Sequence, residues 1–260
     1  MTPSRRDFLK IAGVSALTIM TPAIFIPAWA KDGVVIPPGQ DLAPKKALAA
    51  RRWAMAVDLT KCTVNCTDCI VACHAVHNVP DFGNPKDEIK WIWTEPFASV
   101  FPGESHAYSG KKPRNLRPPV LCNHCENPPC VRVCPTRATF QRTDGIVMMD
   151  YHRCIGCRLC MAACPYGARS MNYRDARPFI AKINPDFPTR TKGVVEKCNF
   201  CEERLAKGTL PACVLACRQK ALTFGDVDDP RSEIRRLLET RFSLRRRTHL
   251  GVGPQIYYLL

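Results

Sequence analysis

Short apolar runs along this chain lead directly into groups of cysteine, and each run has the length of a single β-strand. Met55-Ala56-Val57-Asp58 is followed after three residues by Cys62, and Val147-Met148-Met149-Asp150 is followed after three residues by Cys154. Val194-Val195-Glu196-Lys197-Cys198 is a looser copy. Short apolar runs rich in branched residues and bounded by turns are typical of strands. The pattern predicts an internal repeat in which a short strand feeds a cysteine loop.

A further pair of apolar runs flanks the turn Thr143-Asp144-Gly145. Asp-Gly between two such runs strongly favours a tight β-hairpin, so residues 138–142 and 146–149 are predicted to pair. Several other short elements adjoin the cysteines and indicate an α+β fold. They are predicted strands at residues 168–173 and 221–224, and predicted short helices at residues 159–164 and 210–217.

A long insertion, residues 79–118, does not follow this repeat. It contains Trp91 and Trp93, which would lie on one face of a strand because side chains alternate between faces. Two interpretations of that face are open. It packs on the protein's own core, or it is an exposed interface for a partner subunit.

The C-terminal segment, residues 228–260, also lies outside the repeat. Residues 232–240 predict a helix, with Ser232 as its N-cap. Residues 255–260 are rich in β-forming side chains and predict a strand, which pairs either with this chain's own sheet or with a neighbour's.

The first 30 residues have the features of an export signal. Ser4-Arg5-Arg6-Asp7-Phe8-Leu9-Lys10 matches the twin-arginine consensus, and moderately apolar residues 11–26 follow it. Ala28-Trp29-Ala30 is a small-x-small cleavage site, which predicts a mature chain that begins at Lys31. The alternative is a membrane anchor, although this apolar stretch is short against a span of about 20 residues. Twin-arginine substrates cross the membrane folded, so we expect a periplasmic protein that receives its cofactors beforehand.

Sixteen cysteines dominate the chemistry of the chain, and they fall into four groups of four. The third group, C-x2-C-x2-C-x3-C before Pro165, has the bacterial ferredoxin spacing for [4Fe–4S] ligation. The other spacings are x3-x2-x3, x2-x4-x3 and x2-x11-x3. Short loops bring thiolates together at little entropic cost, so we predict four [4Fe–4S] clusters, or three if the first group is degenerate. The groups are Cys62, Cys66, Cys69, Cys73; Cys122, Cys125, Cys130, Cys134; Cys154, Cys157, Cys160, Cys164; and Cys198, Cys201, Cys213, Cys217.

In two-cluster ferredoxins, three cysteines of a group bind one cluster and the fourth binds the other. The second and third groups flank the Asp-Gly hairpin and both end in Cys-Pro, which favours an inner domain at residues 119–189. The first and fourth groups then form an outer domain, residues 51–78 and 190–227, after an extended lead-in at residues 31–50. The predicted ligand sets are Cys62, Cys66, Cys69, Cys217; Cys122, Cys125, Cys130, Cys164; Cys134, Cys154, Cys157, Cys160; and Cys73, Cys198, Cys201, Cys213.

Other uses of cysteine fit this pattern less well. An exported, cysteine-rich chain is ordinarily a disulfide scaffold, but that accounts for neither the ferredoxin spacing nor export in a folded state. Zinc knuckles contribute two cysteines each, whereas each group here has four. Covalent haem needs C-x-x-C-H, and the nearest approach, Cys69 to Cys73-His74, has three residues between its cysteines.

The formal net charge of +15 is compatible with nucleic-acid binding, but periplasmic export disfavours it. A [4Fe–4S] core with four thiolates is anionic, and nearby cations raise its reduction potential. Lys61, Arg153 and Lys197 each directly precede the first cysteine of a group. The remaining positive charge is expected on a solvated or partner-facing surface, and it includes Arg235, Arg236, Arg245, Arg246 and Arg247.

No catalytic arrangement is apparent in the sequence. The histidines form neither a triad nor an HExxH motif, and no Gly-rich nucleotide loop is present. His74 and His124 adjoin cluster cysteines and are interpreted as groups that tune or shield the clusters. We therefore expect a non-catalytic protein with no small-molecule substrate and no nucleic-acid partner. The histidines are His74, His77, His106, His124, His152 and His249.

Residues 62–80, 122–130 and 193–204, together with the twin-arginine leader, resemble a known superfamily. Its members are the iron–sulfur subunits of dimethyl sulfoxide, polysulfide and tetrathionate reductases. Within it the chain resembles the DsrO family, the periplasmic iron–sulfur subunits of Dsr-type (DsrMKJOP) membrane complexes of dissimilatory sulfur metabolism. There are two departures from the family pattern. Arg218 stands after Cys217 where proline is usual, and the first group opens with x3 rather than x2.

The resemblance implies two fused bacterial-type ferredoxin-like domains, with short strands and helices around the clusters and long loop insertions. It also implies two partners, which are a multi-span membrane subunit that interacts with quinone and a multihaem cytochrome c. The expected function is electron relay between them in a complex attached to the membrane. The alternative is the same relay serving a molybdopterin-dependent reductase. A third hypothesis is an exported, disulfide-stapled binding protein without iron.

Overall fold

The computed structural model describes residues 47–104 and 115–260. The chain divides into two units, Met1–Leu42 and Ala43–Leu260, and all described residues belong to the second. The predicted export signal, most of the extended lead-in and His106 lie outside the described residues. Within those two described ranges, no helix has both the length and the apolar character needed to cross a bilayer.

The described residues form short strands and helices joined by long connections, as the sequence predicts. Three single turns of 3₁₀-helix occur at Pro102–Glu104, Arg177–Phe179 and Thr248–Leu250. In chain order the other elements are β1 (Trp53–Asp58), α1 (Asp68–Val76), β2 (Ile92–Thr94), α2 (Phe97–Val100), β3 (Pro119–Leu121), α3 (Pro129–Arg132), β4 (Thr139–Gln141), β5 (Val147–Met149), α4 (Leu159–Ala162), β6 (Ser170–Met171), β7 (Val195–Glu196), α5 (Glu202–Leu205), α6 (Ala212–Ala216), β8 (Leu222–Asp226), α7 (Glu233–Thr240), β9 (Ser243–Leu244) and β10 (Ile256–Leu259).

A four-stranded sheet in the order β8-β1-β10-β9 joins the beginning and the end of the described chain. β1 pairs antiparallel with β8 and parallel with β10. The predicted C-terminal strand is confirmed, and it belongs to this chain's own sheet. All six residues of β1 are buried, because the main core covers Met55 and Val57 on one face while Ala54 and Ala56 pack with Ile234 of α7 on the other.

The predicted C-terminal helix is confirmed as α7. The Ser232 side chain accepts a hydrogen bond from the backbone N–H of Arg235 at 3.2 Å. This bond satisfies one of the backbone donors left free at a helix start, so the predicted N-cap is also confirmed.

The Asp-Gly hairpin is formed by β4 and β5, which pair antiparallel with Thr139 opposite Met149. The Asp144 carboxylate accepts from the backbone N–H of Ile146 at 3.2 Å, and Gly145 has φ +84°. That left-handed conformation favours glycine because it has no Cβ to clash. A second antiparallel pair, β6 with β7, links the inner segment to the approach to Cys198.

The insertion contributes to the main core. β2 and β3 pair antiparallel, with Trp93 opposite Val120. Trp91 is fully buried and Trp93 nearly so, and the Trp91 indole N–H donates to the Glu196 carboxylate at 2.9 Å. Core packing is therefore the correct interpretation of the two tryptophans, and the exposed partner interface is wrong. The reason is that Glu196 supplies a buried acceptor, which satisfies the indole N–H inside the protein.

One of the C-terminal arginines also departs from expectation. Arg246 is buried rather than solvated or partner-facing. Its guanidinium lies 3.6 Å from the Glu95 carboxylate and 5.4 Å from the Tyr166 ring centroid. These two contacts offset part of the cost of its removal from water, while Nε and Nη1 are buried without a hydrogen-bond partner among the described residues. The other four are exposed as expected, and they are Arg235, Arg236, Arg245 and Arg247.

Candidate metal centres

All sixteen cysteines lie in the described residues, and none of them forms a disulfide. Cys157 is the only one that is exposed, and the others are buried or partly buried. A buried thiol is costly to ionise, whereas a bound metal deprotonates its thiol ligands outright. Groups of neighbouring thiols supply the several thiolate ligands that an iron–sulfur cluster needs.

Cys62, Cys66, Cys69 and Cys217 line one small cavity. Burial raises the pKa of Cys69 to about 12, with Cys62, Cys217 and Cys66 as the neighbouring thiols that raise it further. Cys62 and Cys66 come from the loop between β1 and α1, Cys69 lies in the first turn of α1, and Cys217 follows α6. The structure thus brings the fourth group's last cysteine to the first group.

Cys73 has a different set of neighbours from the rest of its group. Its pKa is raised well above the usual value, first by burial and then by Cys198, Cys213 and Cys201. α1, which carries Cys73, packs against α6, which carries Cys213. The last cysteine of each of these two groups thus lies beside the first three of the other.

The second group shows the same relationship with the third. Burial raises the pKa of Cys125, and the neighbouring thiols Cys122, Cys130 and Cys164 raise it further. α3 and α4, which carry Cys130 and Cys160, pack against each other. Cys164, the last cysteine of the third group, thus lies beside the first three of the second.

The remaining thiols are less enclosed. Cys134, Cys154 and Cys160 pack in one apolar cluster, and Cys154 is among the thiols that raise the pKa of Cys160. Cys157 lies exposed on the loop between Cys154 and Cys160. The structure therefore brings three of these four predicted ligands together and places the fourth at the surface beside them.

The four cysteine loops have a common backbone conformation. The residue directly before the second cysteine has positive φ in every group, at +67° for Asn65, +40° for His124, +66° for Gly156 and +58° for Phe200. The first group has this turn despite its longer opening spacing. A Cβ at Gly156 would lie 2.4 Å from the carbonyl oxygen of Gly193, so glycine is required there by close approach as well as by φ.

The turn after the last cysteine is also repeated in three groups. The N–H three residues on donates to that cysteine's carbonyl, at 3.3 Å from Arg137, 3.4 Å from Gly167 and 2.9 Å from Lys220. All three donors have positive φ. Arg218 stands within the last of these turns, so the departure from proline leaves the backbone turn intact.

Backbone N–H groups are directed at several thiols. Such donors stabilise a thiolate and raise the potential of the cluster that it ligates. The thiols and the N–H groups directed at them are therefore suited to hold anionic clusters. The bonds run to Cys134 from Thr139 at 3.5 Å, to Cys198 from Phe200 at 3.4 Å, to Cys201 from Ala212 at 3.4 Å and to Cys217 from Ala221 at 3.2 Å.

The three basic residues that precede cysteines differ in environment. The Lys61 and Arg153 side chains are mostly exposed, at 53% and 67%. Lys197 is buried, and its ammonium donates to the Cys198 carbonyl at 2.7 Å and to the Val147 carbonyl. A second buried cation, Arg169, was not singled out from the sequence. Its position inside the predicted strand at residues 168–173 was the signal in the sequence that could have identified it as a buried cation.

Of the two histidines beside cysteines, His124 is buried and His74 is half-buried. The His124 ring stacks on Phe200 at 3.7 Å, its Nδ1 accepts from the Val147 N–H at 3.1 Å, and burial lowers its pKa well below the usual value. Burial also lowers the pKa of His74. These positions are compatible with shielding of neighbouring clusters, which remains a prediction.

His77 is a further buried histidine that the sequence did not single out. Its Nε2 lies 3.1 Å from the Glu203 carboxylate, and its ring stacks on Trp91 at 4.4 Å. The ligating atoms of His77, Cys201 and Glu203 lie within 4.8 Å of one another. Because Cys201 neighbours Cys73, this group adjoins a cysteine set rather than forming a separate site.

Two overlapping segments, residues 116–182 and 153–222, match families described as 4Fe-4S dicluster domains. Together with the grouped thiols, these matches define an iron–sulfur protein of the ferredoxin-like dicluster class. The chain accordingly binds multiple [4Fe–4S] clusters, about four.

Several known proteins resemble the chain along its length. It is 40% identical to the Hdr-like menaquinol oxidoreductase iron–sulfur subunit 1 of Archaeoglobus fulgidus, over 98% of this chain and 97% of that one. It is 34% identical to a tetrathionate reductase subunit of Salmonella typhimurium, over 100% and 89%. The menaquinone reductase iron–sulfur cluster-binding subunit of Nitratidesulfovibrio vulgaris is 35% identical, over 80% and 88%. The chain belongs to this family of iron–sulfur subunits of oxidoreductases.

Proposed function

We propose that this chain is the periplasmic electron-transfer subunit of a Dsr-type membrane complex. It relays electrons through four [4Fe–4S] clusters between a quinone-interacting membrane subunit and a multihaem cytochrome c, and it has no catalytic site of its own. The clusters are held by the four cross-paired ligand sets. Bound there, each cluster supplies one-electron redox chemistry, while the protein fixes its position, its exposure and its potential.

The observation that carries the proposal is a continuous series of neighbouring thiols. Cys69 and Cys213 are neighbours and connect the first set to the set of Cys73. Cys198 and Cys122 connect that set to the next one. The last connection, between Cys130 and Cys160, leads to the set that contains the exposed Cys157. Four sets in a linear order make a relay.

The two ends of this order are its most exposed parts. Cys157 is exposed at one end, and Cys62, Cys66 and Cys69 are partly buried at the other. Cys73, Cys198, Cys201 and Cys213, near the middle, are all buried. Electrons therefore enter and leave at the two ends, where partner subunits dock, and the middle of the relay is insulated from solvent.

The quinone partner is supported by two relatives whose names describe a menaquinol oxidoreductase and a menaquinone reductase. The twin-arginine motif supports the periplasmic location, and the resemblance to the DsrO family supports the Dsr-type assignment. The cytochrome partner rests on that resemblance alone.

The alternative is an iron–sulfur subunit of a molybdopterin-dependent reductase of the tetrathionate, polysulfide or dimethyl sulfoxide type. It is favoured by relatives that include the tetrathionate reductase subunit and a putative dimethyl sulfoxide reductase iron–sulfur subunit from Halobacterium salinarum, which is 36% identical. The same ligand sets and the same relay serve both functions. The two functions differ in the partner at one end.

Purification of the tagged full chain from its host, in detergent and without oxygen, distinguishes them. The Dsr-type proposal predicts that mass spectrometry identifies a multi-span membrane protein and a multihaem cytochrome c. A large molybdenum-containing protein in place of the cytochrome would establish the alternative. A colourless chain without iron, purified alone, would contradict both.

A further inference from the structure

Arg169 is a cation inside the protein. It lies between the turn after Cys164 and β6, and only 5% of its surface is exposed. Its Nη1 donates to the Thr139 hydroxyl at 3.2 Å and approaches the Met149 sulfur at 3.8 Å. Its Nη2 is buried and has no hydrogen-bond acceptor among the residues that the structure describes. A buried donor without an acceptor is costly, so neighbouring thiols that are ionised as metal ligands would stabilise this guanidinium.

The guanidinium lies beside thiols of two cysteine groups. Met149, whose sulfur it approaches, packs in one cluster with Cys130 and Cys160, and both thiols are neighbours of Arg169. They belong to two different proposed ligand sets, one with Cys122 and one with Cys154. The guanidinium therefore lies between two proposed ligand sets, beside thiols of both.

Lys197 has the corresponding position at the next junction between proposed sets. Its side chain is 1% exposed, and its ammonium donates to the Cys198 carbonyl at 2.7 Å. Cys198 adjoins Lys197 in the chain, and Cys122 is a neighbour of both. These two cysteines also belong to different proposed sets. Each of two successive junctions thus contains one buried cation.

We propose that Arg169 raises the reduction potentials of both clusters beside it, the one ligated by Cys130 and the one ligated by Cys160. Lys197 does the same for the clusters of Cys122 and Cys198. The inference rests on the proposed ligand sets. Its physical basis is that a fixed charge acts strongly on a neighbouring redox group where little water is present to screen it.

The test compares Arg169→Gln with Arg169→Lys in the complex purified anaerobically. Redox titrations followed by electron paramagnetic resonance give the midpoint potential of each cluster. For Arg169→Gln we expect two midpoints to fall, with a tenfold lower one-electron equilibrium constant for each, which is 59 mV. Arg169→Lys keeps the charge and is expected to restore most of that shift. The control is Arg153→Gln, because Arg153 is mostly exposed and its charge is screened by solvent.

Iron and sulfide content separates failure of this inference from failure of the relay itself. Little iron in the unsubstituted chain would contradict the proposed function, whereas full iron with unchanged midpoints in Arg169→Gln would overturn only the inference. Equal shifts in Arg169→Gln and Arg169→Lys would also overturn it, since packing rather than charge would then be responsible. If Arg169→Gln loses iron, its midpoint potentials cannot be compared, and Lys197→Met then provides the test of the inference. Lys197→Met should lower the midpoint potentials of two clusters, those ligated by Cys122 and by Cys198. The midpoint of the cluster ligated by Cys160 should stay the same. Unchanged midpoints for the first two would overturn the inference.

Discussion

The backbone N–H of Asp58 donates to the carbonyl of Ala221 at 2.7 Å. Asp58 ends β1 four residues before Cys62, and Ala221 stands four residues after Cys217. This hydrogen bond lies where β1 ends and β8 begins. It thus joins the first cysteine loop to the turn that follows the last cysteine of the fourth group. It fixes the two parts of a proposed ligand set relative to each other.

The same bond occurs in the inner part of the chain. The N–H of Asp150 donates to the carbonyl of Ala138 at 2.7 Å. These residues have the same offsets from Cys154 and Cys134. A single structural unit, repeated twice, therefore joins the start of one cysteine group to the end of another.

Cross-pairing predicts which cysteine substitutions have the same effect. Cys217→Ser should perturb the same paramagnetic signal as Cys62→Ser, because both thiols belong to one ligand set. Cys73→Ser should instead perturb the signal that Cys198→Ser changes. Redox-poised electron paramagnetic resonance of the four variants gives the result. If Cys217→Ser and Cys198→Ser changed one common signal, ligation within groups would replace the cross-paired sets.

Gly156 should be intolerant of a side chain. Its φ of +66° disfavours alanine by about 1–2 kcal/mol, and the new Cβ would meet the Gly193 carbonyl oxygen at 2.4 Å. Gly156→Ala is therefore expected to displace the loop that carries Cys157 and to lower the iron content of the purified chain.

Gly83→Ala is the matched control. Gly83 has nearly the same φ, +63°, but a Cβ there would contact nothing within 4 Å. It should lose about 1–2 kcal/mol of unfolding free energy and retain all its iron. Equal iron content in the two variants would show that the close approach at Gly156 is unimportant.

Glu196 is the centre of a buried ion pair. Its carboxylate lies 2.5 Å from Arg190 Nη2, both side chains are fully buried, and it also accepts from the Trp91 indole. Glu196→Gln leaves the Arg190 charge without its counter-ion, so we expect a loss of about 3–5 kcal/mol in the free energy of unfolding. Anaerobic urea denaturation measures this loss.

An exposed ion pair provides the comparison. Arg235 and Glu239 lie 2.7 Å apart in α7 with about half of each side chain exposed. Glu239→Gln should leave the unfolding free energy almost unchanged, because solvent screens an exposed ion pair. A similar cost for both substitutions would contradict the importance assigned to burial at Glu196.

Local patterns in the sequence were sufficient for most of the small elements. The strand before Cys62, the Asp-Gly hairpin and the Ser232 N-cap depend on neighbouring residues, and all are confirmed. Parallel pairing of β1 with β10 depends on segments about 200 residues apart, and no local pattern specifies it. The sequence accordingly left open where the C-terminal strand pairs.

The buried polar residues were the main omission. Arg169, Arg190 and Arg246 have partners distant in sequence, so each would be assigned to the surface by residue type alone. Lys197 was singled out only because it precedes a cysteine. The cysteine positions followed from ligand spacing, whereas the charged groups around them depend on tertiary packing.

Iron and acid-labile sulfide determination on the anaerobically purified chain measures whether the sixteen thiols hold four cubane clusters. We expect about sixteen iron and sixteen sulfide per chain, four of each per cluster. About twelve of each would mean that one set, the first by its spacing, is degenerate. Essentially no iron, or zinc in its place, would contradict the ligation of iron–sulfur clusters by these thiols.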